Sequence, residues 1–331
     1  MQRFPGGASR EVADAQETAA TVTARPEGTR QRLLVVHNAR AGGGDGDGLE
    51  VALEALRQNA TVTTLAFETV AEARRDLHRR LDAGEADVVI AAGGDGTVSF
   101  VAGELLDRGE PLGILPLGTA NDCARTLGIP GAPLDAAQVI LAGRTHRIDV
   151  GLVNGRPFVN AVGIGISVAV SRDAPAAGKD RLGVFAYLLT ALRAVRTTTG
   201  FRVQLAGDEH RWRGRALQVT VANGRHYGGG MTARSDARID DGRLDVLVVK
   251  PAGALRLLQA ALHLRLGRYA PSGPVHVLSA RTVSVRTHPG VAFAADGEEC
   301  GRTPLEASVR RQALSVIVPA DFETAAAASE A

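Results

Sequence analysis

The chain has 331 residues, which at about 150 residues per domain predicts two domains, and its 45% hydrophobic and 22% charged residues exclude wholesale disorder and a fibrous repeat. A formal net charge of +2, from 38 basic and 36 acidic residues, leaves no electrostatic footprint for nucleic acid. Among the basic residues only Lys179 and Lys250 are lysine, a bias that fits a GC-rich genome. Cys123 and Cys300 are too few for a disulfide framework, have no metal-ligand spacing, and read as buried thiols of a reducing cytoplasm.

Residues 1–31 are polar, lack the apolar stretch of a secretory signal, and are expected to form a disordered leader. Between residues 32 and 127 short β-rich runs alternate with helical segments, the signature of a parallel sheet covered by helices. The run Leu33-Leu34-Val35-Val36 leads to a glycine turn at Gly42-Gly43-Gly44 and a helix over Leu49–Gln58. A strand over Thr61–Phe67 and a helix over Val70–Ala83 follow. The buried run Asp87–Ala92 ends in Gly93-Gly94-Asp95-Gly96-Thr97, with a helix predicted over Val98–Asp107. A fourth strand, Leu112–Pro116, opens into Leu117-Gly118-Thr119-Ala120-Asn121-Asp122.

From about Arg147 the pattern becomes that of an antiparallel β domain. Alternating segments at Arg202–Leu205, Ala216–Ala222, Leu244–Val249, Val275–Leu278 and Thr282–Arg286 are separated by Gly, Asp and Asn turns. Helices are expected over Leu182–Arg196 and Ala252–Arg268. The tail from residue 321 is expected to fray. The longest uncharged run, Pro157–Ser171, contains glycines and is shorter than the ~18 apolar residues of a membrane span.

Two loops carry the chemistry. Gly93–Thr97 lies between a buried strand and a helix, where backbone N–H groups and the helix dipole favour an anion. Its single carboxylate, Asp95, points to a divalent cation between it and a phosphate. The other reading is a tight strand-to-helix turn. Gly118, Thr119, Asn121 and Asp122 follow the next strand, so both loops fall at the carboxyl edge of one sheet, where ligands of open α/β sheets bind. Their short polar side chains suit phosphate, sugar hydroxyls or a hydrated metal, or alternatively a helix cap. Asp296-Gly297 follows an apolar run and reads either as a carboxylate at the mouth of an apolar pocket or as a hairpin turn. The basic, leucine-rich segment Leu255–Leu266 reads as a solvated face over a packed stripe or as a helix resting on anionic lipid.

The two loops, together with Phe158–Gly165, Lys179–Tyr187, Gly228–Met231, Asp240–Asp245 and Asp296-Gly297-Glu298, resemble the diacylglycerol kinase and bacterial lipid kinase family, related to sphingosine kinases. The resemblance implies a Rossmann-like, NAD kinase-like α/β nucleotide-binding domain formed by residues 32–147 and 303–320, and a β-rich, sandwich-like lipid-binding domain over residues 148–302. It implies ATP binding by Asn38, Gly93, Gly94, Asp95, Gly96, Thr97, Gly118, Thr119 and Asn121. Magnesium would lie near Asp95 and Asp122, with a structural magnesium at Asp241 and the Leu244 carbonyl. Asp296 resembles the family's general base, with Glu298 beside it. The acceptor would be a lipid hydroxyl at the membrane surface, foremost diacylglycerol. The enzyme would be cytoplasmic or peripheral at the inner face of the membrane, with a homodimer left open. This chain departs from the family where Ala39 and Ala41 replace a Pro and a Ser, where Ser99-Phe100 replaces an Asn-Glu pair, and at Ser235. An NAD kinase-like enzyme and a non-catalytic lipid or nucleotide sensor are the competing readings.

Overall fold

A computed structural model describes residues 30–39, 46–166, 168, 200–208, 210–265 and 273–323. Residues 1–29 of the leader, the Gly42–Gly44 turn, the Lys179–Tyr187 segment, the helix expected over Leu182–Arg196 and the end of the tail lie outside the described residues.

Strands β1 (Arg32–Asn38), β2 (Thr61–Phe67), β3 (Val88–Gly93) and β4 (Leu112–Pro116) are parallel, in the order β2-β1-β3-β4. Every residue of β3 and β4 is buried, as expected of strands covered on both faces. The covering helices are α1 (Gly46–Asn59), α2 (Val70–Asp82), α3 (Asp95–Leu105) and α5 (Pro133–Ala142), with a short α4 (Asp122–Thr126) at the strand edge. Leu56, Leu77, Val101 and Ile140 from these helices share one core with Val35, Ile90 and Ile114 of the strands.

The rest of the chain is β-rich: β5 (Thr145–Val153), β6 (Arg156–Phe158), β7 (Ala161–Gly165), β8 (Phe201–Gly207), β9 (His210–Ala216), β10 (Gln218–Ala222), β11 (His226–Tyr227), β12 (Met231–Thr232) and β13 (Leu244–Val249). Helix α6 (Ala254–Arg265) then precedes β14 (Val275–Ala280), β15 (Thr282–His288), β16 (Ala292–Ala295), β17 (Glu298–Arg302) and β18 (Leu305–Ile317). Six strands form the antiparallel sheet β14-β13-β10-β7-β16-β17. Its apolar face, including Ile164, Val219, Val246 and Phe293, packs on Val203, Leu205, Val283 and Val285 from β8 and β15. The strict alternation of buried and exposed residues along β8 is the period-2 pattern of a strand with one face in such a sandwich. The architecture is therefore an α/β sheet domain with a second, antiparallel β-sandwich domain.

Strand β18 joins the two cores. Leu305 and Ala307 lie in the sandwich, whereas Leu314, Val316 and Ile317 lie in the α/β core. Its end runs parallel to β4, with Val316 opposite Leu112, and most of its length is antiparallel to β5. The register shifts between Arg310 and Leu314, where Gln312 has φ +47°.

Three expectations need correction. The run Ala216–Ala222 is two strands, because at Leu217 the chain leaves the larger sheet and enters the six-stranded one; the Leu217 amide donates to the Val249 carbonyl there. Helix α3 starts at Asp95, three residues before the apolar pattern begins, because its first turn is made of polar and glycine residues. Cys300 is partly exposed, not buried, on β17.

Candidate active site

Because β1, β3 and β4 are parallel and adjacent, their carboxyl ends share one edge, where Gly93 stands opposite Pro116. Asn38, half-buried, ends β1 at this edge. Gly94 is extended (φ −87°, ψ −172°) and caps α3, so Asp95, Gly96 and Thr97 form the first turn of that helix. The Leu117 amide donates to the Gly93 carbonyl at 3.0 Å and joins the two loops. Gly118 and Gly94 meet backbone to backbone: a Cβ on Gly118 would collide with the Gly94 Cα and come within 2.8 Å of Asn121 Oδ1. Asn121, at φ +50°, accepts from the Gly118 amide (3.0 Å) and donates to the Gly118 carbonyl (2.7 Å), so its side chain shapes the loop. Thr97 is buried, whereas Gly96 and Thr119 are exposed at the two loop tips.

Three carboxylates converge beside these loops. Asp95 Oδ1 accepts from the Cys123 amide and from Asn160 Nδ2, each at 3.2 Å. Burial, then the neighbouring charge of Asp122, pushes the Asp95 carboxyl above its ordinary value. Asp122, only 4% exposed, accepts from the amides of Gly229 (2.8 Å) and Gly230 (2.7 Å). Burial raises it too, while those amides, Arg125 and Arg265 oppose the rise. Asp296 accepts four hydrogen bonds. The Val159 amide (2.7 Å) and Ser99 Oγ (2.8 Å) donate to Oδ2, and the amides of Asn160 and Ala161 (2.9 Å each) donate to Oδ1. Burial raises Asp296 against the pull of these donors. Cys123 follows Asp122 and lends its amide to Asp95, and its thiol is pushed well above its usual range by burial and by the charges of Asp95, Asp296 and Asp122.

The remaining expected site residues lie apart from that cluster. Glu298 opens β17 across the turn from Asp296, is exposed, and pairs with Arg156. Leu244, fully buried, opens β13. Asp241 precedes it and accepts from the Arg243 amide at 2.9 Å. Burial, followed by the charges of Asp245, Asp149 and Asp240, lifts the Asp241 carboxyl to about 6.

Among the described residues, no three His, Cys, Asp or Glu side chains are grouped closely enough to hold a metal by themselves. The donors present nevertheless suit magnesium. It prefers oxygen ligands and binds through one or two carboxylates plus phosphate and water, and Asp95 and Asp122 are two desolvated carboxylates whose repulsion a divalent cation would relieve.

Several residues at the site have no role that the sequence assigns to them, although Phe158–Gly165 and Gly228–Met231 are among the segments that carry the resemblance. Ser99 stands out only as a departure, yet its hydroxyl reaches Asp296. Asn160, in the Phe158–Gly165 segment, reaches Asp95 and also lends its amide to Asp296. The Gly229 and Gly230 amides act through backbone, which residue type does not encode. His226 and Thr126 also bond across the domains, the His226 amide donating to Thr126 Oγ1 at 3.0 Å.

Both domains are similar to those of known proteins. Residues 32–153 match the diacylglycerol kinase catalytic domain, and residues 160–318 match the YegS C-terminal NAD kinase beta sandwich-like domain. A probable lipid kinase YegS-like of Pseudomonas aeruginosa is 40% identical over 224 residues, covering 66% of this chain and 71% of that relative. A diacylglycerol kinase of Bacillus subtilis is 31% identical over 238 residues, covering 71% of this chain and 78% of its own. A crystal structure assigned as a diacylglycerol kinase from Bacillus anthracis superposes with a TM-score of 0.76 at 28% identity, over 92% of this chain and 99% of that one. With both domains matched in order, the first match spanning the loops that hold Asp95 and Asp122, and relatives up to 40% identical, the chain belongs to the diacylglycerol kinase and YegS-like lipid kinase family and is a phosphotransferase of that kind.

Proposed function

We propose that this enzyme transfers the γ-phosphoryl group of ATP to the hydroxyl of diacylglycerol, giving phosphatidate, with magnesium and with Asp296 as general base. The reaction would take place at the inner face of the membrane. The observation that carries the reading is the convergence of three carboxylates beside two glycine loops at one sheet edge, where Asn160 bonds both Asp95 and Asp296 and the amide next to Asp122 bonds Asp95.

Phosphoryl transfer requires alignment of the donor, neutralisation of phosphate charge, and a group to take the hydroxyl proton. The exposed tips at Gly96 and Thr119 and the first-turn amides of α3 form the phosphate cradle. Magnesium, held by Asp95 and Asp122, would neutralise charge on the β- and γ-phosphates. Asn38 and Thr119 would contact the nucleotide, and Asn121 would keep its loop in shape.

As the acceptor oxygen bonds to the γ-phosphorus and the bond to the β–γ bridging oxygen breaks, the hydroxyl proton passes to Asp296. Its two oxygens differ in how they could take that proton. Three of the four donors to Asp296 are backbone amides fixed by the chain, whereas Ser99 Oγ can rotate away from Oδ2. Oδ2 is therefore the oxygen that can accept a proton without breaking the fold. Glu298, paired with Arg156, would set the charge at the rim rather than act on the hydroxyl itself.

The deciding experiment supplies purified protein with labelled ATP, magnesium and, separately, diacylglycerol, a sphingoid base, phosphatidylglycerol or NAD. Labelled phosphatidate is expected. Label on NAD alone, or on no acceptor under any metal condition, would refute the proposal.

A further inference from the structure

Helix α6 has two apolar faces, and only one of them is used. Leu257, Ala260 and Leu264 are buried, and Leu264 belongs to a small core with Tyr227, Ala233 and Leu247. On the other side Leu255, Leu258 and Leu262 are 70%, 45% and 57% exposed. Both triplets are spaced i, i+3, i+7, and at ~100° per residue the exposed stripe points away from the buried one.

The other exposed large apolar residues described, Val51, Val70 and Leu134, stand singly on three different helices. Scattered apolar residues are normal on a protein surface, whereas a contiguous stripe marks an interaction site. The charged and titratable side chains that α6 itself places beside this stripe are all basic. On a helical wheel Arg256 and His263 flank it on one side and Arg265 on the other, and α6 contains no acidic residue. An apolar strip with a basic rim complements the surface of an anionic bilayer, with leucines at the acyl boundary and arginines at the phosphates.

We infer that α6 is an interfacial helix that docks the enzyme on anionic membrane. This rests on the lipid-kinase reading, because a long-chain acceptor stays in the bilayer and the enzyme must come to it. Among the described residues no helix is long and apolar enough to cross a membrane. The helix is also tied to the proposed site. Arg265 donates to the Gly229 carbonyl at 3.1 Å, and the Gly229 amide donates to Asp122. Docking through α6 thus holds the loop behind Asp122 next to the membrane surface.

The test is co-sedimentation of the full chain with vesicles of phosphatidylcholine alone or mixed with phosphatidylglycerol, comparing wild type with the exposed-face variant L258S/L262S and with Arg256→Glu. Activity is read in parallel on long-chain diacylglycerol in the mixed vesicles and on a dispersed short-chain diacylglycerol. Wild type is expected to sediment with mixed vesicles far more than with neutral ones. L258S/L262S should lose about tenfold or more of that binding and a similar factor of vesicle activity, while keeping its melting temperature and short-chain activity. Arg256→Glu should weaken binding to the mixed vesicles only. Unchanged sedimentation of L258S/L262S would overturn the inference. So would a wild-type dimer that this variant converts to monomer without change in vesicle binding, because the stripe would then be covered by a second copy. Leucine-dependent sedimentation without diacylglycerol phosphorylation would leave docking standing and count against the acceptor assignment alone.

Discussion

Asp296 shows how one residue satisfies two readings that compete in the sequence. Asp296 and Gly297 have φ +46° and +87°, so the pair is the hairpin turn between β16 and β17. The same turn directs the Asp296 carboxylate inward onto three amides and a hydroxyl. Replacing it with Asn sets an NH₂ group against donors that need an acceptor, so loss of activity in Asp296→Asn mixes catalysis with misplacement. Ser99→Ala is the cleaner probe. Removing one donor to the carboxylate favours its protonated form, which burial already favours, so the acid limb of the kcat profile should move to higher pH. With kcat near neutrality reduced on the order of tenfold and the Km for ATP unchanged, Ser99→Thr should restore the wild-type profile. A wild-type acid limb in Ser99→Ala would remove Asp296 from the proton path.

At the scale of elements, the parallel strands were the most legible part of the fold. A run such as Val89-Ile90-Ala91-Ala92 has no polar face and fits only a strand covered on both sides. Helix α3 was misplaced at its start, because glycine and aspartate in a first turn look like loop until the capping backbone of Gly94 is seen. The Asp122–Gly229 contact was not legible at all, since a carboxylate bound by amides from a distant segment leaves no local pattern. The loop contact between Gly94 and Gly118 yields a paired prediction. Gly118→Ala must force two backbones apart, and should lower stability by about 1–3 kcal/mol and weaken ATP binding. At Gly96 a Cβ meets nothing within 4 Å, so Gly96→Ala should keep the wild-type melting temperature. Thermal melts with and without ATP distinguish the two, and equal tolerance at both positions would mean that the loops can separate at no cost.

At the scale of the molecule, the described acids whose carboxyls are shifted fall into two populations with opposite responses to pH. Asp107 and Asp236, beside Arg310 and Arg234, and Asp208, beside the Arg281 and Thr282 amides, are held below the ordinary carboxylate value. Asp95, Asp122, Asp149, Asp241, Asp245 and Asp296 are raised, each chiefly by burial. The raised group lines the site and the junction where Asp149 accepts from the Gln312 amide at the irregularity in β18. A raised acid holds its proton more tightly in the folded chain than in the unfolded one. Its contribution to stability is therefore complete below the unfolded value of 3.8 and is lost as pH rises through the folded value, about 6 for Asp241. The lowered acids act in the reverse sense, stabilising above 3.8 and failing as pH falls through their folded values. Without divalent cations, the melting temperature should therefore fall as pH rises from about 4 to 6 and should also fall steeply on strong acidification. Asp241→Asn should flatten the fall between 4 and 6. If Asp241 and the Leu244 carbonyl hold magnesium, the cation should raise the wild-type melting temperature above pH 6 and raise that of Asp241→Asn less. Melts across pH in chelator and in magnesium test both points, and an equal magnesium shift in the two proteins would place the stabilising cation elsewhere, with Asp95 and Asp122 the remaining pair suited to hold it.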